Sequence, residues 1–508
     1  MKTLSNRKNF LLTLFSSSFA MIVPMILNFI LIPISIKYWG SAQYGVLAII
    51  ANIVVYVSNT NLGLTATATI LMNKSSDLIK KRTIFIKTKK LLFLVCGVGV
   101  LILLVLYIKD KEFILLFASV PKGITLISSG AMFVTLLFLL LKLPLSLNSS
   151  AFTGFHKAYI DNYFKVFVSL STPISFLVTL YLKQNLLFFA CLSGVVSTLI
   201  LLIENMYLRK SILSKVEMKN GLFQDEETHY SFLMKTGFLC LSGGIANVIV
   251  QNTDNVVIGK IMGVQFVTSY SVLFRIFTMS FLIIYMINSS IIPILGKEIG
   301  NKNSEAINEI YRGSFLSVLF VGGFVWIGSV AWLKSFVIVW VGSSNFAGYW
   351  VLFFLGGYAF LFCIVNLNYI FVNSFNLVKE AQYVVWIEAG INLIFSIILC
   401  KYWGLVGIAF GTFLGTLVGP YFLFPKVLKK ASRINMKHRT LRQYIVIMLI
   451  PYLIVGVCIS HYFKNFLSNT GITVILFVVY SIHYYLMILK KENISFIKRI
   501  KGKLWKRN

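Results

Sequence analysis

The sequence predicts an all-α integral membrane protein with about 14 transmembrane helices, set as two six-helix lobes around a central cavity plus two extra C-terminal helices. Three observations lead there. Hydrophobic residues fill 58% of the 508 positions and charged residues 12%, about half the charged share of soluble domains. Apolar runs long enough to cross a bilayer, roughly 17–25 residues each, recur from one end of the chain to the other. Lysine and arginine gather in short clusters between those runs, on alternate loops.

The first run, Phe10 to Ile36, is too long for a signal-peptide core and lacks a small-residue cleavage site, so it reads as the first span. Five more follow at Tyr44–Met72, Leu91–Tyr107, Thr125–Leu147, Tyr159–Leu182 and Leu186–Tyr207. A polar stretch with Asp225, Glu226 and Glu227 then separates the halves. The next six spans are Phe232–Ile258, Val267–Leu295, Ile310–Leu333, Tyr349–Val372, Tyr383–Cys400 and Leu405–Phe424; Tyr444–Ser460 and Ile472–Leu489 close the series. The expected organisation is therefore a first lobe over 1–207, a cytoplasmic linker over 208–230, a second lobe over 231–428, and two extra helices with a basic cytoplasmic tail over 429–508.

Charge placement supports this map. With the N-terminus in the cytoplasm, cytoplasmic segments hold 34 of the 47 Lys and Arg residues and external loops hold 9. Lys80-Lys81-Arg82, Lys429-Lys430 and the tail from Lys490 to Arg507 all fall on one side, so both termini are expected inside. The same placement accounts for the net charge of +31 without invoking nucleic acid. External connections such as Lys183-Gln184-Asn185 are too short for an extracellular catalytic domain. The six cysteines are scattered singly in apolar runs, as small core hydrophobes. No HExxH, GxxxxGK[ST] or GxGxxG occurs, and the five histidines lack metal-ligand spacing. No enzyme activity, metal or cofactor is expected.

The halves echo each other weakly. Lys37-Tyr38-Trp39-Gly40 reappears as Lys401-Tyr402-Trp403-Gly404, and Gly259-Lys260-Ile261-Met262-Gly263 follows the seventh span. In span twelve Gly407, Gly411, Gly415 and Gly419 recur every fourth residue, a face that lets another backbone approach closely.

Charges and polar breaks inside the spans are the candidate functional residues, because the hydrocarbon penalises them. Lys142 and Lys165 either pair with Asp161 and Glu204 and snorkel to the interface, or face a cavity that attracts an anionic headgroup. Asp254 and Arg275 lie roughly 7–10 Å into the outer half. They either pair as a structural lock or line a pathway, with Arg275 on a phosphate and Asp254 on a coupling cation. Glu388 lies on span eleven. Span two breaks at Ser58-Asn59-Thr60-Asn61 and span seven at Asn247 and Gln251-Asn252-Thr253-Asp254-Asn255. Such side chains suit sugar hydroxyls or neighbouring helices equally.

Four stretches carry a family resemblance: Asn28 to Pro33 leading into Trp39-Gly40 and Tyr44-Gly45; Asn61-Leu62-Gly63-Leu64; Gln251 to Gly259 with Gly263 and Tyr270; and Trp403 to Ala409. With the layout of six, six and two spans, the chain resembles the Wzx-type O-antigen translocases. These are polysaccharide-export flippases of the multidrug/oligosaccharidyl-lipid/polysaccharide exporter superfamily. The resemblance implies a lipid-linked oligosaccharide on undecaprenyl pyrophosphate as substrate, alternating access in the bacterial cytoplasmic membrane, and Arg275, Lys142 and Lys165 as pyrophosphate-facing cations. It also implies work in cell-envelope polysaccharide biosynthesis, beside membrane lipids, a polysaccharide polymerase and chain-length proteins. A multidrug exporter or a lipid II flippase of the same superfamily, and a membrane-embedded glycan polymerase or transferase, are the rival readings. Reporter fusions after Asn220, Arg433 and Asn508 should all read cytoplasmic; one external signal would mean a span has been miscounted.

Overall fold

In hydrocarbon no water is present to satisfy a backbone N–H or C=O, so a chain this apolar has to close its hydrogen bonds inside helices. The computed structural model describes residues 2–215, 225–432, 449–463 and 465–486, and among them there is no β-strand. Among the described residues, ten helical stretches are long and apolar enough to cross a membrane. The basic tail, the loop containing Arg439 and residues 216–224 of the linker lie outside the described residues.

By contacts the chain divides into two compact units, Met1–Val267 and Thr268–Asn508. The first holds α1 (Lys2–Ser58), α2 (Leu64–Lys74), α3 (Leu78–Lys109), α4 (Thr125–Gly154), α5 (Ala158–Tyr181), α6 (Leu186–Ser211) and α7 (Tyr230–Ile261). The second takes most of α8 (Val264–Ser289) and all of α9 (Ile292–Gly300), α10 (Ser304–Val341), α11 (Tyr349–Ser374), α12 (Val378–Trp403), α13 (Leu405–Thr416), α14 (Phe422–Ser432), α15 (Ile450–Tyr462) and α16 (Phe466–Tyr484).

The first expected span and the start of the second fall on α1, two helical segments joined by a kink at Gly40, where φ is 77°. Glycine adopts this region without steric cost, and Gly404, between α12 and α13, does the same at φ 59°. The repeated Lys-Tyr-Trp-Gly is thus one turn device used twice. Asp77 caps α3 by accepting from the Ile79 and Lys80 amides, and Asn185 caps α6 through Phe188. Side chains on α3 such as Leu94, Leu101 and Val105 are more than 60% exposed, an outward apolar face suited to lipid.

At the end of the linker, Lys74 pairs with Glu227 at 2.8 Å, and Lys80 pairs with Asp225 at 2.5 Å and Glu227 at 2.6 Å. These bonds pin residues 225–228 to the α2–α3 corner. Lys74 first, then Lys80, hold the Glu227 carboxyl down at about 2. A carboxyl depressed in the fold stabilises above its ordinary range, and that contribution fades as pH falls through about 2.

In the second unit the glycine face of α13 lies on α12. A Cβ on Gly407 would stand 2.1 Å from the Leu399 carbonyl oxygen, and one on Gly411 2.8 Å from the Ser396 nitrogen. Pro420 lacks an N–H, and the helix widens into a π turn over Leu417–Tyr421 before α14. α15 and α16 dock on α10: Tyr480 and Tyr484 donate to the carbonyls of Phe320 and Leu316, Trp332 donates to Thr470, and Asn469 to Ser335. Because the atoms facing Gly407 are backbone and cannot move aside, Gly407→Ala should destabilise the detergent-purified protein by about 1–3 kcal/mol, outweighing its better helix propensity. Gly390→Ala, which meets nothing within 4 Å, should be neutral or stabilising in the same thermal-unfolding assay.

Candidate functional site

Spans two and seven pack against each other inside the first unit. Span two breaks because a 3-10 turn at Asn59–Asn61 leads into Leu62 and Gly63, both left-handed at φ 54° and 66°. The flagged amides serve that break. Asn59 Nδ2 donates to the Val55 carbonyl, while Asn61 donates to Thr65 Oγ1 and accepts from the Gly63 amide. The turn pushes the Leu62 carbonyl against α7, where a Cβ on Gly237 would sit 2.5 Å from it. Further along the same seam, Asn52 Nδ2 donates to the Asn252 carbonyl at 3.1 Å, and the Tyr56 hydroxyl meets Thr253 Oγ1 at 2.5 Å. Asp254, only 4% exposed, lies within electrostatic reach of Tyr56.

At the far end of α7 the seam is clamped by backbone. The Ser119 amide donates to the Gly259 carbonyl, the Val264 amide to the Ser119 carbonyl, and Lys260 Nζ to the Leu115 carbonyl. The α3–α4 connection thereby holds the α7–α8 turn. Asn247 and Gln251, four residues apart on α7, are exposed instead. Amide side chains within a span face water or protein rather than lipid, so this side of α7 is a polar one.

The flagged charges take definite places. Lys142 on α4 donates to Ser197 Oγ on α6 at 2.5 Å. Lys165 pairs with Asp161 one turn earlier on α5 at 2.6 Å, and Ser149 of α4 donates to the same carboxylate oxygen. Glu204 on α6 is 2% exposed and touches Asp161. Asp254 belongs to the first unit and Arg275 to the second. Arg275 is exposed on α8, its carbonyl accepting from Thr278. Glu388, 8% exposed on α12, accepts from Thr416 Oγ1 of α13 at 2.6 Å.

Several polar residues were not singled out from sequence. Asn392 and Ser396 continue the Glu388 face of α12 at four-residue spacing, each 0% exposed. Neither Asn392 polar atom nor the Ser396 hydroxyl has a hydrogen-bond partner. Asn288 of α8 donates to Asn366 of α11, and Tyr311 of α10 to Asn368. Two asparagines in the apolar run Val365-Asn366-Leu367-Asn368-Tyr369 were visible to the rule that exposed the breaks of spans two and seven. Among the described residues no group of three or more His, Cys, Asp and Glu side chains is placed to hold a metal.

The fold is shared with solved membrane transport proteins. A structure of the lipid II flippase MurJ in an inward closed conformation matches 93% of this chain and 99% of its own, with TM-score 0.71 and 14% identity. A multidrug resistance MATE family transporter of the MOP superfamily matches in its inward-facing conformation over 83% of this chain and 98% of its own, with TM-score 0.70 and 12% identity. The outward-facing conformation of such a transporter matches over 84% and 96%, with TM-score 0.60 and 14% identity. No protein-family model and no curated protein matches the sequence.

The clamp on α7 is open to direct test. A Cβ on Gly259 would lie 3.2 Å from that of Ala118, with only the movable end of Ile49 in the way. In a background freed of the six native cysteines, Ala118→Cys with Gly259→Cys should therefore form a disulfide on mild oxidation, read as a mass and mobility change. Two free thiols after oxidation would show that the clamp is not closed in the membrane.

Proposed function

We propose that this chain is a flippase. Its cargo is an oligosaccharide repeat unit linked to undecaprenyl pyrophosphate, for O-antigen or for a capsule or teichuronic-type polysaccharide. It moves that unit from the inner to the outer leaflet of the bacterial cytoplasmic membrane by alternating access. The observation that carries the reading is the likeness to the lipid II flippase structure over nearly the whole of both chains. Two six-helix lobes, 1–207 and 231–428, do the work, with 208–230 as linker and 429–508 as an addition. The protein is a carrier and not an enzyme, and a polymerase and chain-length proteins take over its product.

The cargo carries about two negative charges on its pyrophosphate, and drawing it off the headgroup surface costs desolvation that a fixed cation offsets. Arg275 and Lys165 suit this role, since both are exposed and able to receive an anion, whereas Lys142 is engaged with Ser197. Arginine grips phosphate in a two-pronged fork that lysine cannot reproduce. Asn247 and Gln251, exposed on α7, and Asn252 beside them offer amides to the glycan along the path, whereas Asn59 and Asn61 are taken up by the break in span two. Asp254 and Glu388 are the carboxylates for a coupling cation. A multidrug exporter is the second reading, favoured by the TM-score of 0.70 to the inward-facing transporter.

Deleting the gene should abolish surface polysaccharide and leave lipid-linked repeat units in the inner leaflet. In the complemented strain, Arg275→Ala should cut export at least about tenfold at normal protein level, the loss of one charge-assisted contact, and Arg275→Lys should keep part of it. Normal surface glycan in the deletion strain, combined with new sensitivity to cationic drugs, would sink the flippase reading in favour of the exporter.

A further inference from the structure

Near one end of the first unit, the C-terminal parts of α4 and α6 meet the start of α5, and two carboxyls face each other there. Asp161 is 4% exposed and Glu204 2%, and the two carboxyls lie within electrostatic reach of each other. Asp161 Oδ2 accepts from Lys165 Nζ at 2.6 Å and from Ser149 Oγ at 2.8 Å, and Lys165 also donates to Ser149 Oγ at 3.1 Å. Glu204 touches the Asn148 side chain, which is 0% exposed. Two acceptor atoms in this nest, Glu204 Oε1 and Asn148 Oδ1, have no donor.

The charges do not balance without one more atom. Two ionised carboxylates against one ammonium leave a net negative charge almost out of contact with solvent, and neighbouring buried carboxylates repel unless one of them holds a proton. Among the described residues no other cation fills the gap. Lys142 on α4 is committed to Ser197, and Lys89 on α3 donates to Asn205 Oδ1 with Arg209 of α6 beside it. From α1 the neighbouring group is the neutral Ser16, which accepts from Asn162. The missing donor is a hydrogen. A metal cation would need more oxygen ligands than these carboxyls supply beside an ammonium already seated on them.

Lys165 is the variable member. Its side chain is 53% exposed while Asp161 beneath it is 5% exposed, so an anion arriving from solvent can draw the ammonium off without opening the helix bundle. We propose that Asp161 and Glu204 bind one exchangeable proton between them, and that an anionic phosphate group engaging Lys165 tightens their hold on it. The proton already lies on the pair while Lys165 is seated, so drawing the ammonium away leaves one net negative charge there, and that charge holds the proton more tightly. Linkage makes the effect reciprocal: protonating the pair frees Lys165 for the anion. The phosphate arm rests on the proposed flippase function, whereas the proton site stands on the geometry alone.

Infrared difference spectroscopy on the purified full-length chain, titrated from neutral to alkaline pH, reads the site directly. Wild type should show the carbonyl stretch of one protonated carboxylic acid, lost in both Glu204→Gln and Asp161→Asn at unchanged unfolding temperature. Lys165→Gln should shift its titration upward by about one pH unit, a tenfold tighter hold, because a half-exposed counter-charge has been removed. Inorganic pyrophosphate should shift the wild-type band in the same direction and leave Lys165→Gln unmoved. A wild-type spectrum without the band, or a band that survives both carboxyl variants, overturns the proton site. A shift in Lys165→Gln with no response to pyrophosphate overturns the anion linkage alone, and leaves the proton site intact whatever the export assay returns.

Discussion

Water is missing from the middle of a bilayer, and every polar group carried there has to find its partner within the protein. The placement of this chain's polar residues follows from that constraint. The backbone meets it by staying helical nearly throughout, with a kink confined to Gly40 and a π turn before α14. Where the helix does break, at Asn59–Asn61, the side chains that look most available for a ligand are the ones that repair it. Asn61 bonds forward to Gly63 and Thr65, and Asn59 reaches back to Val55.

The same constraint decides how helices approach one another. Between apolar faces in lipid there is little hydrophobic drive, so contact depends on close backbone packing and on buried hydrogen bonds. α12 and α13 combine the two: glycines at 407, 411, 415 and 419 bring the helices together, and the Glu388–Thr416 bond is made inside that contact. The seam between α1, α2 and α7 is built alike, with Gly237 admitting the Leu62 carbonyl and Gly259 admitting Ile49, beside the bonds Asn52 and Tyr56 make to α7.

Charges in the spans divide by whether the fold has already used them. Lys142 and Lys89 end on neutral oxygens of α6, and Glu388 on a threonine hydroxyl. Lys165 keeps half of its surface while anchored to Asp161, and Arg275 stands exposed. An anionic cargo needs cations of the second sort, because a fully committed ammonium can be drawn away only by leaving its partner unsatisfied in a medium that does not compensate it.

The sequence by itself determined that this chain is helical and membrane-embedded, and it placed most of the spans. Both follow from a local property, the length of each apolar run against the thickness of the hydrocarbon. It also marked the turns at Gly40 and Gly404, because a positive φ favours glycine whatever surrounds it. It singled out the in-span charges, which are conspicuous for their cost, yet it passed over Asn366, Asn368, Asn392 and Ser396. Only the tertiary structure decided what each polar group does. Lys142 meets Ser197 fifty-five residues away, and Asn52 meets Asn252 two hundred residues away. Such partners are chosen by which helix faces come together, and that depends on the packing of the whole unit, which no local pattern encodes.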